Sequence, residues 1–241
     1  MSSRGIVVLT GAGISAESGL ETFRDPDGVW SRHRLEDVAT PEAFRRDPAL
    51  VHGFYNMRRR RLLEPDVRPN AAHEALALLQ SRLPGRVTLV TQNVDDLHDR
   101  AGSATVHMHG ELLKIQCERC ASVRPWRDDL STATACPECG RTGALRPHVV
   151  WFGEMPFELE RIGAALSRCG LFVAIGTSGN VQPAAGFVQE ARWRAGARTV
   201  ELNLERTGSS GMFDQSVQGP ATDIVPAFVR SLLEAEAEGI R

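Results

Sequence analysis

The chain has 241 residues, of which 42% are hydrophobic and 24% are charged, and its formal net charge is −2. This length supports one globular domain, or one domain with a sizeable insertion, and the small net charge gives no indication of a nucleic-acid or membrane partner. No apolar run approaches the roughly 18 residues of a membrane-spanning helix, and the N-terminus lacks a signal-peptide pattern. Four of the five cysteines stand in two C-x-x-C pairs, which is typical of a metal site in a reducing compartment, so we expect a cytoplasmic protein.

The first predicted element is a buried, parallel strand at residues 5–10, followed by the glycine-rich pattern G-x-G-x-x-A at residues 11–16. Glycines permit a tight turn and close approach of a phosphate, and a following helix would offer its N-terminal N–H groups to the charge. The alternative is a turn that only needs small residues. A redox Rossmann unit would have a second apolar strand ending in an acidic residue, but no such strand follows before Arg68, and residues 23–28 predict a loop. The pattern therefore favours a dinucleotide held in an unusual pose.

A helix start at Thr40-Pro41 and a helix at residues 49–63 follow. The arginine run at residues 58–61 is most simply a solvated face of that helix. Tyr55 and Arg58 are three residues apart and share a helix face. A hydroxyl beside a guanidinium is a natural receptor for a carboxylate, although spacing alone favours the solvated face.

A helix at residues 69–83 leads to a strand at residues 86–91. The polar residues Gln92, Asn93 and Asp95 come directly after that strand. Because α/β sheets place ligands at the carboxyl ends of their strands, we expect these three side chains at a binding site.

A short strand at residues 105–108 carries His107, and His109 follows two residues later. Alternation along a strand would point both histidines to one face. Imidazole is the side chain best suited to act as a general base near neutral pH. The residues themselves leave open which histidine acts.

Two C-x-x-C pairs separated by fifteen residues form a strong metal-binding pattern. They supply four thiolates for a tetrahedral zinc ion and leave no open coordination position, so the metal should be structural. The four predicted ligands are Cys117, Cys120, Cys136 and Cys139. The fifth cysteine, Cys169, borders an apolar run and is predicted to be a buried small hydrophobe.

The segment at residues 145–153 is apolar and extended, and is either core or an edge to which a peptide could add as a strand. Beyond it, helices and strands alternate. This alternation predicts an α/β fold with a parallel sheet, helices on both faces and the zinc ribbon as an insertion. The predicted helices are residues 157–168, 183–194 and 225–238, and the predicted strands are residues 171–175 and 198–202.

Taken together, these residues resemble the sirtuins, and most of all the bacterial CobB-type, class III members. The resemblance rests on motifs in the family's order, namely GAGISAESG, TQNVD, HMHGE, the double C-x-x-C, VVWFGE, GTS, NLE and GPA. It implies an NAD-dependent protein lysine deacylase that transfers the acyl group from lysine to ADP-ribose and releases nicotinamide. It also implies a large Rossmann-like lobe and a small lobe made of a helical insertion and the zinc ribbon. The large lobe is expected at residues 1–21, 69–113 and 148–241, the insertion at 22–68 and the ribbon at 114–147.

The same resemblance assigns roles to residues. It makes His109 the catalytic base, with Asn93 and Asp95 as further catalytic residues. The chain has Glu21-Thr22 where many sirtuins have Pro-Asp, which again points to class III. The implied contacts to NAD, the co-substrate, are Gly11, Ala12, Gly13, Ala16, Phe23, Arg24, Trp30, Gln92, Asn93, Val94, Asp95, Gly176, Thr177, Ser178, Asn203, Leu204, Glu205 and Ala221.

On the substrate side, Tyr55 and Arg58 stand where class III members recognise succinyl and malonyl groups, and Ala39 resembles the small residue that leaves room for them. Val149, Trp151 and Phe152 lie in the segment that resembles the family's peptide-pairing edge. The resemblance thus implies deacetylase, desuccinylase and demalonylase activity on acylated lysines in an extended peptide, by a monomer with one structural zinc ion. Three alternatives stay open: a mono-ADP-ribosyltransferase, a dehydrogenase, and a zinc-ribbon binding module without catalysis.

Overall fold

The computed structural model describes residues 4–22 and 34–239, so the predicted NAD contacts Phe23, Arg24 and Trp30 lie outside the described residues. Within that part of the chain there are nine strands. They are β1 (Gly5–Thr10), β2 (Val87–Thr91), β3 (Thr105–His107), β4 (Gly110–Cys117), β5 (Val123–Pro125), β6 (Leu145–Val149), β7 (Cys169–Ile175), β8 (Arg198–Asn203) and β9 (Gln215–Gln218).

Six of these strands form one parallel sheet in the order β3-β2-β1-β7-β8-β9. The chain leaves β3 for the remaining three strands, which form an antiparallel sheet in the order β5-β4-β6, and then returns to β7 beside β1. The predicted parallel sheet is confirmed, and the four cysteines lie in and around the inserted small sheet.

Eight α-helices flank the sheets in the described ranges. They are α1 (Leu35–Val38), α2 (Pro41–Arg46), α3 (Pro48–Leu62), α4 (Ala71–Arg82), α5 (Leu97–Arg100), α6 (Leu159–Leu166), α7 (Phe187–Ala195) and α8 (Ala221–Ala237). None of the helices in residues 4–22 and 34–239 is long and apolar enough to cross a membrane.

Side-chain caps explain where the first longer helices begin. The Thr40 hydroxyl accepts from the Ala43 N–H at 3.0 Å, and the Asp47 carboxylate accepts from the Leu50 N–H at 2.9 Å. Proline occupies the first helical position after both caps, where its missing N–H costs nothing. Pro48 thereby separates α2 from α3 at Asp47.

The period-two alternation of β1 divides the core into two apolar layers. Val7 and Leu9 pack with residues of α6 and α7 on one face of the sheet. Ile6 and Val8 pack with residues of α4 and α8 on the other face. Because both faces are covered, the strand can be apolar throughout, as the run GIVVLT is.

The expectation of a helix after the glycine-rich segment is wrong. In the described residues 11–22 the chain forms two short 3₁₀ turns, Ala12–Ile14 and Ala16–Ser18, and then turns at Gly19 with φ of +81°. The Gly11 and Gly13 N–H groups bond to the carbonyls of Ile175 and Gly176 at 2.9 and 2.8 Å. Both N–H groups therefore bond to the carboxyl end of β7 and not within a helix. The segment at residues 11–22 packs across this edge of the sheet.

The arginine run at residues 58–61 is also not uniformly solvated. Arg59 is 0% exposed and donates to the carbonyls of Leu112 and Asp128, each at 3.2 Å. On the same helix, Asn56 pairs through its amide with the backbone of Leu130 in both directions at 2.8 Å. Helix α3 therefore anchors the cysteine-bearing ribbon.

Two further elements differ from the sequence prediction. The last helix begins at Ala221 rather than at residue 225, and β9 was not predicted.

The backbone after β1 and the backbone after β7 cross in direct contact. A Cβ atom on Gly13 would lie 2.8 Å from the Gly176 Cα, and one on Gly176 would lie 2.5 Å from the Ile14 nitrogen. Gly176 also has φ of +60°, a conformation that side chains with a Cβ rarely adopt. The glycines of both motifs are therefore required by backbone packing, whatever ligand they also approach.

We expect Gly176→Ala to lower the free energy of unfolding by at least about 2 kcal/mol, because a left-handed alanine costs about 1–2 kcal/mol and the new methyl group meets Ile14. Gly53→Ala is the matched control. Gly53 lies within α3, and nothing lies within 4 Å of the Cβ that the substitution would add. Alanine there should raise stability by about 0.5–1 kcal/mol. Urea unfolding of both variants checks the pair, and equal stabilities would contradict the proposed packing constraint.

Candidate active site

A cleft of about 1170 Å³ lies at the carboxyl edge of the parallel sheet. Its walls come from the loops after β1, β2, β7 and β8, from α3, and from the segment after β6. Every described residue that the sequence assigns to catalysis, NAD or acyl-peptide lines this one cleft. They are Gly11, Ala12, Gly13, Ala16, Ala39, Tyr55, Arg58, Gln92, Asn93, Val94, Asp95, His109, Val149, Trp151, Phe152, Gly176, Thr177, Ser178, Asn203, Leu204, Glu205 and Ala221.

Hydrogen bonds join the loops along one half of the cleft. The Gln92 amide donates to the Thr177 hydroxyl at 3.0 Å, and the Asn203 amide donates to the Thr177 carbonyl at 2.8 Å. Glu17 accepts from the backbone N–H of Thr222 at 3.0 Å and from its hydroxyl at 2.6 Å, which ties the 3₁₀ turn to the start of α8. The loops after β1, β2, β7 and β8 thus form one connected rim.

Asp95 is the buried carboxylate of the cleft. Its two oxygens accept from the Leu97 N–H and from the Ser15 hydroxyl, both at 3.1 Å. Asn93 donates through its amide to the Gly11 carbonyl at 3.1 Å and to the Ser15 hydroxyl at 3.2 Å. Burial raises the pKa of Asp95, and the two hydrogen bonds oppose that effect. Ser15 was not predicted as a site residue, although it lies inside the G-x-G-x-x-A motif.

A second polar layer lies beneath these residues and was also missed. The Thr10 hydroxyl donates to the Thr91 hydroxyl at 2.9 Å and lies 3.0 Å from Nε2 of His98. The rings of His98 and His73 are 4.8 Å apart. Burial lowers the pKa of His73 to about 4 and that of His98 well below its usual value. The layer under the cleft is therefore uncharged at neutral pH.

His109 lies half-buried on the cleft wall with a defined tautomer. Its Nδ1 is 3.0 Å from the carbonyl oxygen of Gln92. Because a carbonyl only accepts, Nδ1 carries the proton and Nε2 keeps its lone pair. Burial lowers the pKa of His109, and the bond to Gln92 opposes this in part. Gly110 follows with φ of +82°, and a Cβ there would lie 2.2 Å from the His148 carbonyl oxygen, so the turn needs glycine.

His107 has a different environment. It lies outside the described lining of the cleft, and its Nε2 is 2.8 Å from the Asp99 carboxylate. Burial lowers the pKa of His107, but the carboxylates of Asp99, Glu111 and Asp95 together raise it overall. Strand β3 ends at His107, so strand alternation does not extend to His109. The two histidines therefore do not share one face of a strand.

Tyr55 and Arg58 lie close together on α3, in the wall of the cleft that this helix contributes. The Arg58 guanidinium is 5.9 Å from the centre of the Tyr55 ring and 5.8 Å from that of Phe54. The Tyr55 hydroxyl accepts from the Trp151 indole N–H at 2.9 Å, so its own proton can still be donated. Burial raises the pKa of Tyr55, which keeps the phenol protonated. Two hydrogen-bond donors, one of them cationic, therefore line the cleft wall formed by α3.

The segment at residues 145–153 has a buried part and an exposed part. Val149 packs in the core, and Trp151 is 2% exposed, whereas Phe152 is 48% exposed at the cleft. Arg146 holds the turn by stacking 3.4 Å from the Trp151 ring centre and by pairing with both oxygens of Glu154 at 2.7 and 2.9 Å. The Phe152 N–H donates to the Ala39 carbonyl at 3.0 Å. The backbone of the exposed Phe152 is thus fixed against the helical segment at Ala39.

The four predicted cysteine ligands come together at the end of the small sheet, and their sulfur atoms all lie within 4.8 Å of one another. Cys117 and Cys139 are 3.8 Å apart, as are Cys120 and Cys136. Four sulfurs at about 2.3 Å from a tetrahedral zinc ion would be about 3.8 Å apart, so the residues fit the metal. Cys169 is buried in the main core, as predicted.

Comparison with known proteins gives consistent matches. The Sir2 family model matches residues 11–183. The NAD-dependent protein deacylase of Shigella flexneri is 57% identical over 230 residues, covering 95% of this chain and 84% of the relative. The enzyme of the same name from Escherichia coli K12 is 56% identical over 235 residues, with 97% and 84% covered. A solved Sir2 homologue–NAD complex superposes with a TM-score of 0.86 at 39% identity, over 97% of this chain and 91% of that one.

We expect the purified protein to hold about one zinc ion per chain and Cys136→Ser to hold none, because each thiolate fills one of four positions. Cys136 is also part of the ribbon's small apolar core, so metal loss should lower the melting temperature. Elemental analysis and thermal unfolding measure both effects. Cys169→Ala should keep the zinc, and a wild-type melting temperature unchanged by a strong chelator would contradict a structural role.

Proposed function

Because the chain belongs to the Sir2 family, we propose that it is an NAD-dependent protein lysine deacylase that transfers the acyl group from lysine to ADP-ribose with release of nicotinamide. The observation that carries this proposal is the meeting, in one cleft, of the glycine-rich loop, the Gln92–Asp95 cluster, His109 and the Tyr55/Arg58 pair. The names of the relatives, protein deacylases more than half identical to this chain, support it.

The rim residues of the parallel sheet would hold NAD. Ala12, Gln92, Asn93 and Asp95 would contact the nicotinamide half. Residues that follow β7, residues at and just after the end of β8 and the first residue of α8 would contact the adenosine half, namely Gly176, Thr177, Ser178, Asn203, Leu204, Glu205 and Ala221. Bound NAD supplies an electrophilic ribose carbon as its bond to nicotinamide breaks, and the amide oxygen of the acyl-lysine is the nucleophile.

The chain's main contribution is to orient the two reactants in the cleft. The amide of Asn93 is fixed by Gly11 and Ser15, and the carboxylate of Asp95 is fixed by Ser15 and Leu97, so neither needs to reorganise during the reaction. His109 presents an unprotonated Nε2, which suits it to accept a proton from a ribose hydroxyl.

Tyr55 and Arg58 would recognise acyl groups that end in a carboxylate. Arg58 offers a charged donor and Tyr55 the free proton of its hydroxyl, whose position is held by Trp151. Ala39 is small and buried beside them, which leaves room for a longer chain. We therefore propose desuccinylase and demalonylase activity at least as efficient as deacetylation.

An extended peptide would carry the acyl-lysine past Phe152, with Val149 and Trp151 holding that segment in place.

We also propose that the chain has two lobes, a Rossmann-like lobe (residues 1–21, 69–113 and 148–241) and a small lobe (residues 22–68 and 114–147). The contacts of Asn56 and Arg59 with the ribbon support the small lobe. Finally, we propose a cytoplasmic monomer, since a reducing compartment keeps four thiolates available for zinc.

We expect deacylation to fall as the pH drops through the pKa of His109, which burial places below the usual 6.5. The neutral imidazole acts as the base, so activity is present above that pKa and lost below it. The pH profile of kcat/KM for the acyl-peptide between about pH 5 and 8 measures this limb, because kcat/KM reports the enzyme before the peptide binds. His109→Ala should lower kcat by about 10²- to 10⁴-fold, and His107→Ala should keep the limb. A limb centred well above 6.5 would contradict the assignment.

We expect Arg58→Met to lower kcat/KM for a succinyl-peptide about 10- to 100-fold, with little change for the matched acetyl-peptide, because one charge-assisted hydrogen bond is lost. Tyr55→Phe should give a smaller loss in the same direction. Arg60→Met is the control, since Arg60 lies on the exposed side of α3 and pairs with Asp129. An equal loss on both peptides would disprove carboxylate recognition.

A further inference from the structure

Glu201 on β8 is a buried carboxylate that lies outside the described lining of the cleft and is only 1% exposed. One of its oxygens accepts from the Thr207 hydroxyl at 2.8 Å. The other accepts from the hydroxyl of Ser210 and from that of Ser216, the latter at 2.7 Å. Three donors thus satisfy a group whose burial would be costly without partners. Two of them, Thr207 and Ser210, belong to the segment that follows β8.

The hydrogen bonds around Glu201 have a fixed direction. Because a carboxylate only accepts, Thr207 and Ser210 direct their protons to Glu201 and keep their lone pairs for other donors. The Ser210 hydroxyl accepts from the backbone N–H of Thr207 at 2.8 Å, and the Thr207 hydroxyl accepts from that of Ser209 at 3.3 Å. The hydroxyl oxygens of Thr207 and Ser209 are also 2.9 Å apart. Glu201 therefore holds the backbone at residues 207–210 as well as two side chains.

The segment at residues 204–210 (the β8 loop) lies beside both strands of the proposed adenosine site. Its first two residues, Leu204 and Glu205, line the cleft. Leu204 is 66% exposed, so side-chain packing does little to fix this part of the loop. Further along, Ser209 packs against the loop after β7, where a Cβ atom added to Gly179 would lie 2.2 Å from the Ser209 Oγ. The position of the β8 loop therefore affects the cleft residues that follow both strands.

We propose that Glu201 is a positioning residue for NAD, which holds the β8 loop in the conformation that receives the adenosine half. This inference rests on the proposed NAD site. A loop that is already ordered loses less freedom when the dinucleotide binds, so the affinity is higher. The three hydroxyl partners of Glu201 also lie outside the described cleft lining. Loss of the carboxylate should therefore weaken NAD binding and leave the chemistry at His109 intact.

The test is Glu201→Gln, which keeps the size of the side chain. Its amide nitrogen only donates, so at least one hydroxyl that Glu201 holds loses its acceptor. We expect KM for NAD to rise about 5- to 50-fold, with kcat and KM for the acyl-peptide within about twofold of wild type. Calorimetric titration with ADP-ribose, which has the adenosine half without nicotinamide, should show the same loss of affinity.

Thr207→Val and Ser216→Ala are a matched pair, because each removes one hydroxyl from the same carboxylate. Thr207 lies in the β8 loop, so Thr207→Val should raise KM for NAD in the same direction but by less. Ser216 lies on β9, so Ser216→Ala should leave KM for NAD near the wild-type value, whatever it does to the melting temperature. Thr207→Val decides the question if Glu201→Gln does not fold.

The outcomes separate this inference from the proposed function. If the wild-type protein releases no nicotinamide with NAD and acyl-peptide, the deacylase proposal fails, whereas weaker ADP-ribose binding by the variants would still support the role of Glu201. If the wild-type protein is active but Glu201→Gln and Thr207→Val bind NAD and ADP-ribose normally, the role of Glu201 is overturned and the function stands. A fall in kcat without a change in KM for NAD, or an equal rise in that KM with Ser216→Ala, would also overturn it.

Discussion

The close crossing of two backbone segments at the carboxyl edge of the parallel sheet sets the geometry of the site. Gly13 donates to the Gly176 carbonyl at 2.8 Å, and at neither position is there room for a Cβ atom. The contact brings the loops after the neighbouring strands β1 and β7 together, and Gln92 extends the same rim through Thr177. A dinucleotide is an extended ligand, so its two halves can be held at once only if these loops keep a fixed spacing.

The polar groups beneath that rim keep it fixed, and the lower layer of them adds no charge. Asn93 and Asp95 share the Ser15 hydroxyl, while Thr10, Thr91 and His98 form a second layer below. Buried polar groups rigidify a site when they are paired, and an unpaired buried charge would be costly. Since the lowered pKa values of His73 and His98 keep both rings neutral, the layer can lie under a site that must bind a charged cofactor.

Much of the architecture could be predicted from local sequence patterns, and the exceptions have a common physical cause. Apolar runs that end at glycine or polar clusters predicted the parallel sheet, and cysteine spacing predicted the metal site. The 3₁₀ turns after β1 were not predicted, because the partner of Gly13 is Gly176, far away in the chain. Arg59 was missed for the same reason, as its acceptors lie in the ribbon.

The site residues that could not be predicted from the sequence are also those that depend on contacts distant in the chain. Residue types and spacing suggested Gln92, Asn93 and Asp95 as site residues but could not choose between His107 and His109, since both are plausible bases. That choice depends on the end of β3 and on Asp99, which engages His107. Ser15 and His98 carry no pattern of their own, because a buried serine or histidine is defined by its neighbours in space.

This cleft is proposed to make the ribose of NAD, rather than its nicotinamide ring, the reactive centre, and to do so only with an acyl-lysine in place. The most direct test incubates the zinc-loaded protein with NAD and a succinylated or acetylated peptide, and measures the products by mass spectrometry. We predict equal amounts of nicotinamide, deacylated peptide and O-acyl-ADP-ribose, with nicotinamide release dependent on the acyl-peptide. NAD that stays intact beside the acylated peptide, or that is converted to NADH, would contradict the account.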